Sequence, residues 1–211
     1  MTPGERIPLN LLDSALLRRR AGAVAIGAVL LGGALGGLFG LFGGAVVGLI
    51  AAAIVALPLV LLAVTEARRK VWLQDGVVSV RAIGTRRVDL RAASRLELLV
   101  TDVRGARTVG LLISGPPKNQ TLNLALATYA GVGGRELGIL ALRRLADVLA
   151  TAGEAHALVY SELLVAQLRS EARGDAAPDR PLYRLASLAP QGRMAQRLRP
   201  DAVAKFVTSL G

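Results

Sequence analysis

The chain has 211 residues, a formal net charge of +11 and 53% hydrophobic residues, enough for one membrane element and one small folded domain. It has no cysteine and a single histidine, His156. That composition excludes disulfides, thiolate nucleophiles and zinc sites built on several histidines.

The first eleven residues precede a basic cluster, Arg18-Arg19-Arg20. Leu9, Leu12, Leu16 and Leu17 fall near helical spacing, with Asp13 and Ser14 as caps. Residues 1–20 are therefore expected to form a short interfacial segment or the start of the following helix. No charged residue then occurs from Ala21 to Thr65, and Glu66, Arg68, Arg69 and Lys70 close the stretch. One span needs ~20 apolar residues, so residues 21–65 are long enough for two. A signal peptide's apolar core is only ~7–15 residues, which argues against cleavage.

The predicted spans are Ala21–Phe39 and Ala45–Val64, with a turn over Gly40–Gly44 that makes them antiparallel neighbours. Basic clusters at both ends of the hairpin predict that both termini are cytoplasmic, with Arg18, Arg19, Arg20, Arg68, Arg69 and Lys70 at an anionic interface. Gly32, Gly36, Gly40, Gly44 and Gly48 recur every four residues. Small residues so spaced let backbones approach, either within the hairpin or between protomers of a homo-oligomer. Pro58 is expected to kink the second span. No ionisable side chain lies in the spans, which argues against a pump or carrier.

After the hairpin the apolar period changes to two. Short strands are expected at Lys70–Leu73, Val77–Ala82, Arg87–Leu90, Ser94–Val103, Thr108–Ser114 and Thr121–Ala127. Asp75-Gly76 is a strong hairpin signal, and Gly84-Thr85 and Arg104-Gly105 mark further turns. Trp72 is either an interfacial anchor or a core residue, and its place at the start of a strand favours the core. The period becomes helical after Gly133-Gly134, where Leu137, Leu140, Ala141, Leu145 and Val148 form one stripe. Residues 66–150 thus read as a curved antiparallel sheet or small barrel closed by a helix.

Residues 151–211 read as a helical extension. It has a helix over Glu154–Arg173, a linker over Gly174–Pro181, and two short helices near Leu182–Leu188 and Asp201–Leu210.

The opening Val71-Trp72-Leu73-Gln74-Asp75-Gly76-Val77-Val78, the basic Arg86-Arg87-Val88-Asp89-Leu90 and the closing helix resemble the bacterial pleckstrin-homology-like (PH-like) domain family. Many of its members follow a two-span hairpin. The resemblance implies an α+β membrane protein: a partly open barrel of two bent sheets, capped by a helix and held at the bacterial plasma membrane. It implies an adaptor or assembly subunit with no activity of its own. It also marks the edge bearing Arg81, Arg86, Arg87 and Arg91 as the place where relatives grip lipid headgroups.

Chemical motifs are sparse. There is no GxxxxGK[ST] loop. Gly131-Val132-Gly133-Gly134 could cradle an anion but reads better as a plain helix entry. His156 lacks a local nucleophile and orienting acid. No metal or cofactor site is expected, and nucleic acid is disfavoured because basic and aromatic residues are not interleaved. The expected partners are the bilayer and a protein. The alternatives are an anionic-phospholipid-sensing module and an accessory subunit of a membrane enzyme or transport complex.

Overall fold

The charge-free stretch forms two helices, α1 (Ser14–Gly43) and α2 (Ala45–Arg68). In the computed structural model, residues 4–11, 14–82, 84–190 and 194–210 are described, without the side chains of 14–18 and 20. The molecule divides into a helical unit, residues 12–69 with 81–84, and a β-rich unit made of the remainder.

Within the helical unit the turn is tighter than the sequence predicts. Helix α1 continues through Gly43, and Gly44 alone separates it from α2. Gly44 has φ 84, a conformation that glycine adopts without steric cost. Its N–H donates to the Gly40 carbonyl, so the predicted turn residues Gly40–Gly43 stay helical. The helices run antiparallel with their glycines in contact. A Cβ on Gly36 would lie 2.7 Å from both the Ala52 Cβ and the Gly48 oxygen, and one on Gly48 would lie 2.5 Å from the Gly36 oxygen. Gly32 is equally tight against Ala52 and Ala56. The backbones are therefore closer than any side chain would allow.

Gly33 and Gly37 point into open space. The outward surface is apolar, with Leu41 and Phe42 83% and 88% exposed. Both helices are long and apolar enough to cross a membrane, over Ala21–Gly43 and Ala45–Arg68. Only 17% and 6% of their most apolar windows are buried, unlike the core helix of a soluble protein.

The β-rich unit holds two antiparallel sheets. The first is ordered β1-β2-β3-β4, from β1 (Ile7–Pro8), β2 (Lys70–Gln74), β3 (Val77–Arg81) and β4 (Thr85–Asp89). The second is ordered β8-β7-β6-β5-β9, from β5 (Arg95–Val103), β6 (Ala106–Gly115), β7 (Gln120–Ala130), β8 (Gly133–Glu136) and β9 (Gln196–Arg197). Asp75-Gly76 and Arg104-Gly105 turn their hairpins with positive φ at both residues, as two-residue loops require. The alternating leucines behave as read: Leu96 and Leu98 of β5, Leu111 and Ile113 of β6, and Leu124 and Leu126 of β7 are all buried. Helix α3 (Ile139–Ala150) adds Leu142, Leu145 and Leu149 to the same core.

Three readings need correction. Residues Gly133–Glu136 form a strand paired to Ala127–Ala130, and the helix starts only at Ile139. The Tyr129 ring covers the position where a Gly134 side chain would project, so glycine is needed there for close approach and not for helix entry. Trp72 is only half-buried. It faces away from buried Val71 and Leu73, as strand alternation dictates, and the Arg6 guanidinium lies 5.7 Å from its ring. The N-terminal segment is extended: Ile7 and Leu9 are buried in the β-rich core, ahead of a helix that begins at Ser14. Leu12 lies outside the described residues.

The helices expected in the extension are present, and they pack into the β-rich core. Helix α4 (Ala157–Arg173) buries Tyr160, Leu163 and Leu164 in the common core, and the Ser161 hydroxyl donates to the Ala146 carbonyl. The expected linker is pinned down. Asp175 accepts from the Ser170 hydroxyl and Arg173, a 3-10 turn spans Ala177–Asp179, and Arg180 pairs with Glu136 at 2.7 Å. Helix α5 (Pro181–Leu188), strand β9 and helix α6 (Pro200–Thr208) complete the chain.

Candidate functional site

The predicted interface cations lie at the ends of the helical pair. Arg18, Arg19 and Arg20 are in the early turns of α1, and Arg19 is exposed. Arg68 ends α2, Arg69 caps it and Lys70 opens β2, all three exposed. Of the glycines predicted to mediate packing, Gly32, Gly36, Gly40 and Gly48 line the contact between α1 and α2, and Gly44 makes the turn.

The predicted headgroup edge is exposed but divided. Arg81 ends β3, Arg86 and Arg87 are consecutive in β4, and Arg91 lies in the turn that follows. Consecutive strand residues leave from opposite faces, so Arg86 and Arg87 project to different sides of β4. Arg86 shares a face with buried Val88, and Arg87 shares one with Asp89. The Asp89 carboxylate accepts from the Arg91 backbone N–H, while the Arg91 guanidinium lies against Gly76.

A different site is assembled by three loop ends of the β-rich unit. The tip of the β5–β6 hairpin, the tip of the β7–β8 hairpin and the end of α5 enclose an open cleft of about 720 Å³. Its floor is Tyr129 and Tyr183, packed edge to face with centroids 5.0 Å apart. The Tyr129 hydroxyl donates to Glu136 at 2.7 Å, and the Tyr183 hydroxyl donates to the Gly131 carbonyl. Arg107 donates to the Ala186 carbonyl and pairs with Asp102 at 3.7 Å. Burial and the neighbouring Glu136 carboxylate push the Tyr129 phenol well above its ordinary value. Glu136 in turn holds the Arg180 guanidinium firmly protonated.

Next in sequence to the cleft's lining residues Asp102, Gly131 and Ser187 stand exposed apolar side chains: Val103 at 58%, Val132 at 79% and Leu188 at 64%. Arg104 stands among them, exposed. Sequence reading missed this cleft. Tyr129 and Tyr183 lie on different elements with no shared local pattern, and the one local signal was an apolar residue, Val132, in a turn.

A second open cleft, of about 620 Å³, lies over α4, α5 and α6. Arg169, Arg173 and Arg184 border it with Glu162 and Asp179, above Val165 and Val207. Charges of both signs alternate there.

Among the described residues, the serines at the two clefts bond to backbone carbonyls, Ser187 to Tyr183 and Ser161 to Ala146. In the first cleft the phenols and Arg107 spend their hydrogen bonds on the protein itself. The sequence reading gave His156 no orienting acid, but its Nδ1 lies 2.9 Å from Glu154 at the start of α4, a local pair that lines neither cleft. Among the described residues no three His, Asp or Glu side chains are grouped to hold a metal. No family model, curated protein or solved structure matches the chain.

Proposed function

We propose that this chain is a non-enzymatic, membrane-anchored adaptor or assembly subunit. In this reading α1 and α2 cross the bacterial plasma membrane as a hairpin, both termini are cytoplasmic, and the β-rich unit is a PH-like domain that binds a protein partner. One observation carries it above the rest. The chain joins a helical pair whose apolar surface faces outward to a separate unit that buries its own core and presents valine and leucine side chains at one loop end. Exposed apolar side chains beside a cleft whose tyrosines are hydrogen-bonded to the protein itself suit docking better than turnover.

The test is affinity purification from native membranes with crosslinking, comparing wild type with Val103→Asp plus Val132→Asp. The adaptor reading expects a stoichiometric protein partner that the double variant loses while remaining folded. Recovery of the protein alone, with anionic lipid enriched, would contradict it.

Arg86 and Arg87 favour a second reading, an anionic-phospholipid-sensing module. Both are exposed, and neither forms an ion pair among the described residues. Arg86→Glu plus Arg87→Glu should then abolish enrichment of anionic lipid around the purified protein. An accessory role in a membrane enzyme or transport complex is a special case of the adaptor reading, decided by what copurifies.

A further inference from the structure

The residues ahead of α1 are built into the domain that follows α2. Strand β1 pairs antiparallel with β2, Ile7 opposite Leu73 and Pro8 opposite Trp72. The pairing extends past the strand at both ends. The Leu9 N–H donates to the Val71 carbonyl at 2.9 Å, and the Val71 N–H returns to the Asn10 side-chain oxygen at 3.1 Å. Arg6 donates to the Gln74 side chain at 3.0 Å, and the Gly4 N–H to Asp75 at 3.1 Å. Ile7 and Leu9, 7% and 2% exposed, fill the core beside Val71 and Leu73. The sequence separation is the telling part: these contacts join residues 61 to 71 positions apart, with both long helices between them.

The connections on either side are short. The paired segment reaches Asn10 and α1 starts at Ser14, while α2 ends at Arg68 and β2 begins at Lys70. A few residues span at most ~3.5 Å each, far less than the ~30 Å of a hydrocarbon core. The strand can therefore reach its place in the ladder only when the start of α1 and the end of α2 emerge on the same face of the membrane.

We propose that residues 4–11 are a topology-dependent closing strand: the β-rich unit completes its first sheet only in a chain whose two helices are both inserted and whose N-terminus stays on the domain's side. This rests on the reading that α1 and α2 span a bilayer. A chain with one helix inserted, or with its N-terminus translocated, keeps the edge of β2 unpaired and leaves the places of Ile7 and Leu9 empty. Unpaired edges with exposed apolar neighbours are sites of aberrant pairing and proteolysis. Correct insertion and a protease-resistant domain are thus coupled through one strand.

The natural chain lacks cysteine, which makes the test direct. Ile7→Cys plus Leu73→Cys is introduced in the full chain, and free thiols in native membranes are counted by maleimide-polymer gel shift after mild oxidation. Directly opposed residues of an antiparallel pair lie within disulfide range. The expected result is loss of at least nine-tenths of the free thiol, against little loss for Ile7→Cys plus Val132→Cys. A second arm fuses an export leader ahead of Met1 to carry the N-terminus across. It should abolish the Ile7–Leu73 crosslink and raise trypsin cleavage within residues 70–211 at least tenfold.

Retained thiols in the opposed pair, in a chain that resists alkaline carbonate extraction, would overturn the strand's role. A translocated chain whose domain stays as resistant as wild type would overturn the coupling. Extraction of the wild-type chain by carbonate would overturn the membrane reading instead, with the crosslink still reporting on the strand.

Discussion

The two units of this protein are held together by opposite uses of side-chain size. The helical pair is closed by what is missing: Gly32, Gly36 and Gly48 let backbone meet backbone, and the bulky residues point outward. The β-rich unit is closed by what is present, leucine and isoleucine from three long strands and from α3, α4 and α5 packed in one core. In water the second arrangement is driven by removal of apolar area. On the proposal that α1 and α2 span a bilayer, the first has no such drive and depends on close packing. The same substitution should therefore have different consequences in the two units.

Leucine truncation should separate them most sharply. Leu111→Ala, at a fully buried site, is expected to destabilise the β-rich unit by about 2–5 kcal/mol. Leu62→Ala, at a side chain 64% exposed on α2, should leave that unit's unfolding unchanged. Denaturant titration monitored by proteolysis of the full chain in nanodiscs reads both.

The converse holds for added bulk. Gly48→Val should force the helices apart at a cost of about 1–3 kcal/mol, while Gly37→Val, facing open space, should cost almost nothing. Spin-label distances between α1 and α2 check this pair.

Within the β-rich unit, Glu136→Ala removes the acceptor shared by Tyr129 and Arg180 and should cost about 1–3 kcal/mol. Glu136→Gln should recover part of the loss, since its amide oxygen still accepts one bond.

Alkaline pH offers a weaker handle. Burial pushes the Tyr160 phenol up to about 12, and Tyr129 is also raised, so the folded unit holds these protons more tightly than the unfolded chain. Their contribution is complete below about pH 10, the unfolded value, and should decline as pH rises toward 12. Tyr160→Phe should flatten that decline in a pH series of unfolding midpoints.

The smallest effect is expected at the exposed basic edge. Arg86→Glu plus Arg87→Glu should change stability by no more than about 0.5 kcal/mol. Any larger consequence for lipid enrichment then belongs to recognition and not to folding.

What the sequence made legible follows the same division. Alternation identified Leu96, Leu98, Leu122 and Leu124, and the four-residue glycine step pointed to the helical contact, because both signals are local and periodic. Strand β1 was illegible: Ile7-Pro8 is too short for a period, and its partners lie more than sixty residues away. The Gly133-Gly134 pair imitated a loop, although Gly134 answers to the Tyr129 ring. The cleft between the hairpin tips was hidden for the same reason as β1. Arg180 finds Glu136 across 44 positions, a pairing set by the closed fold and not by neighbouring residues.

Both the proposed function and the closing strand require the two helices to form a hairpin that leaves both of its ends on one side. The most direct measurement places single cysteines at Glu5, Phe42 and Val132 of the full chain and labels intact membranes with an impermeant maleimide from each face. With such a hairpin, positions 5 and 132 label from the same face and position 42 from the opposite one. Labelling of positions 5 and 132 from opposite faces, or of all three from one face, would contradict it.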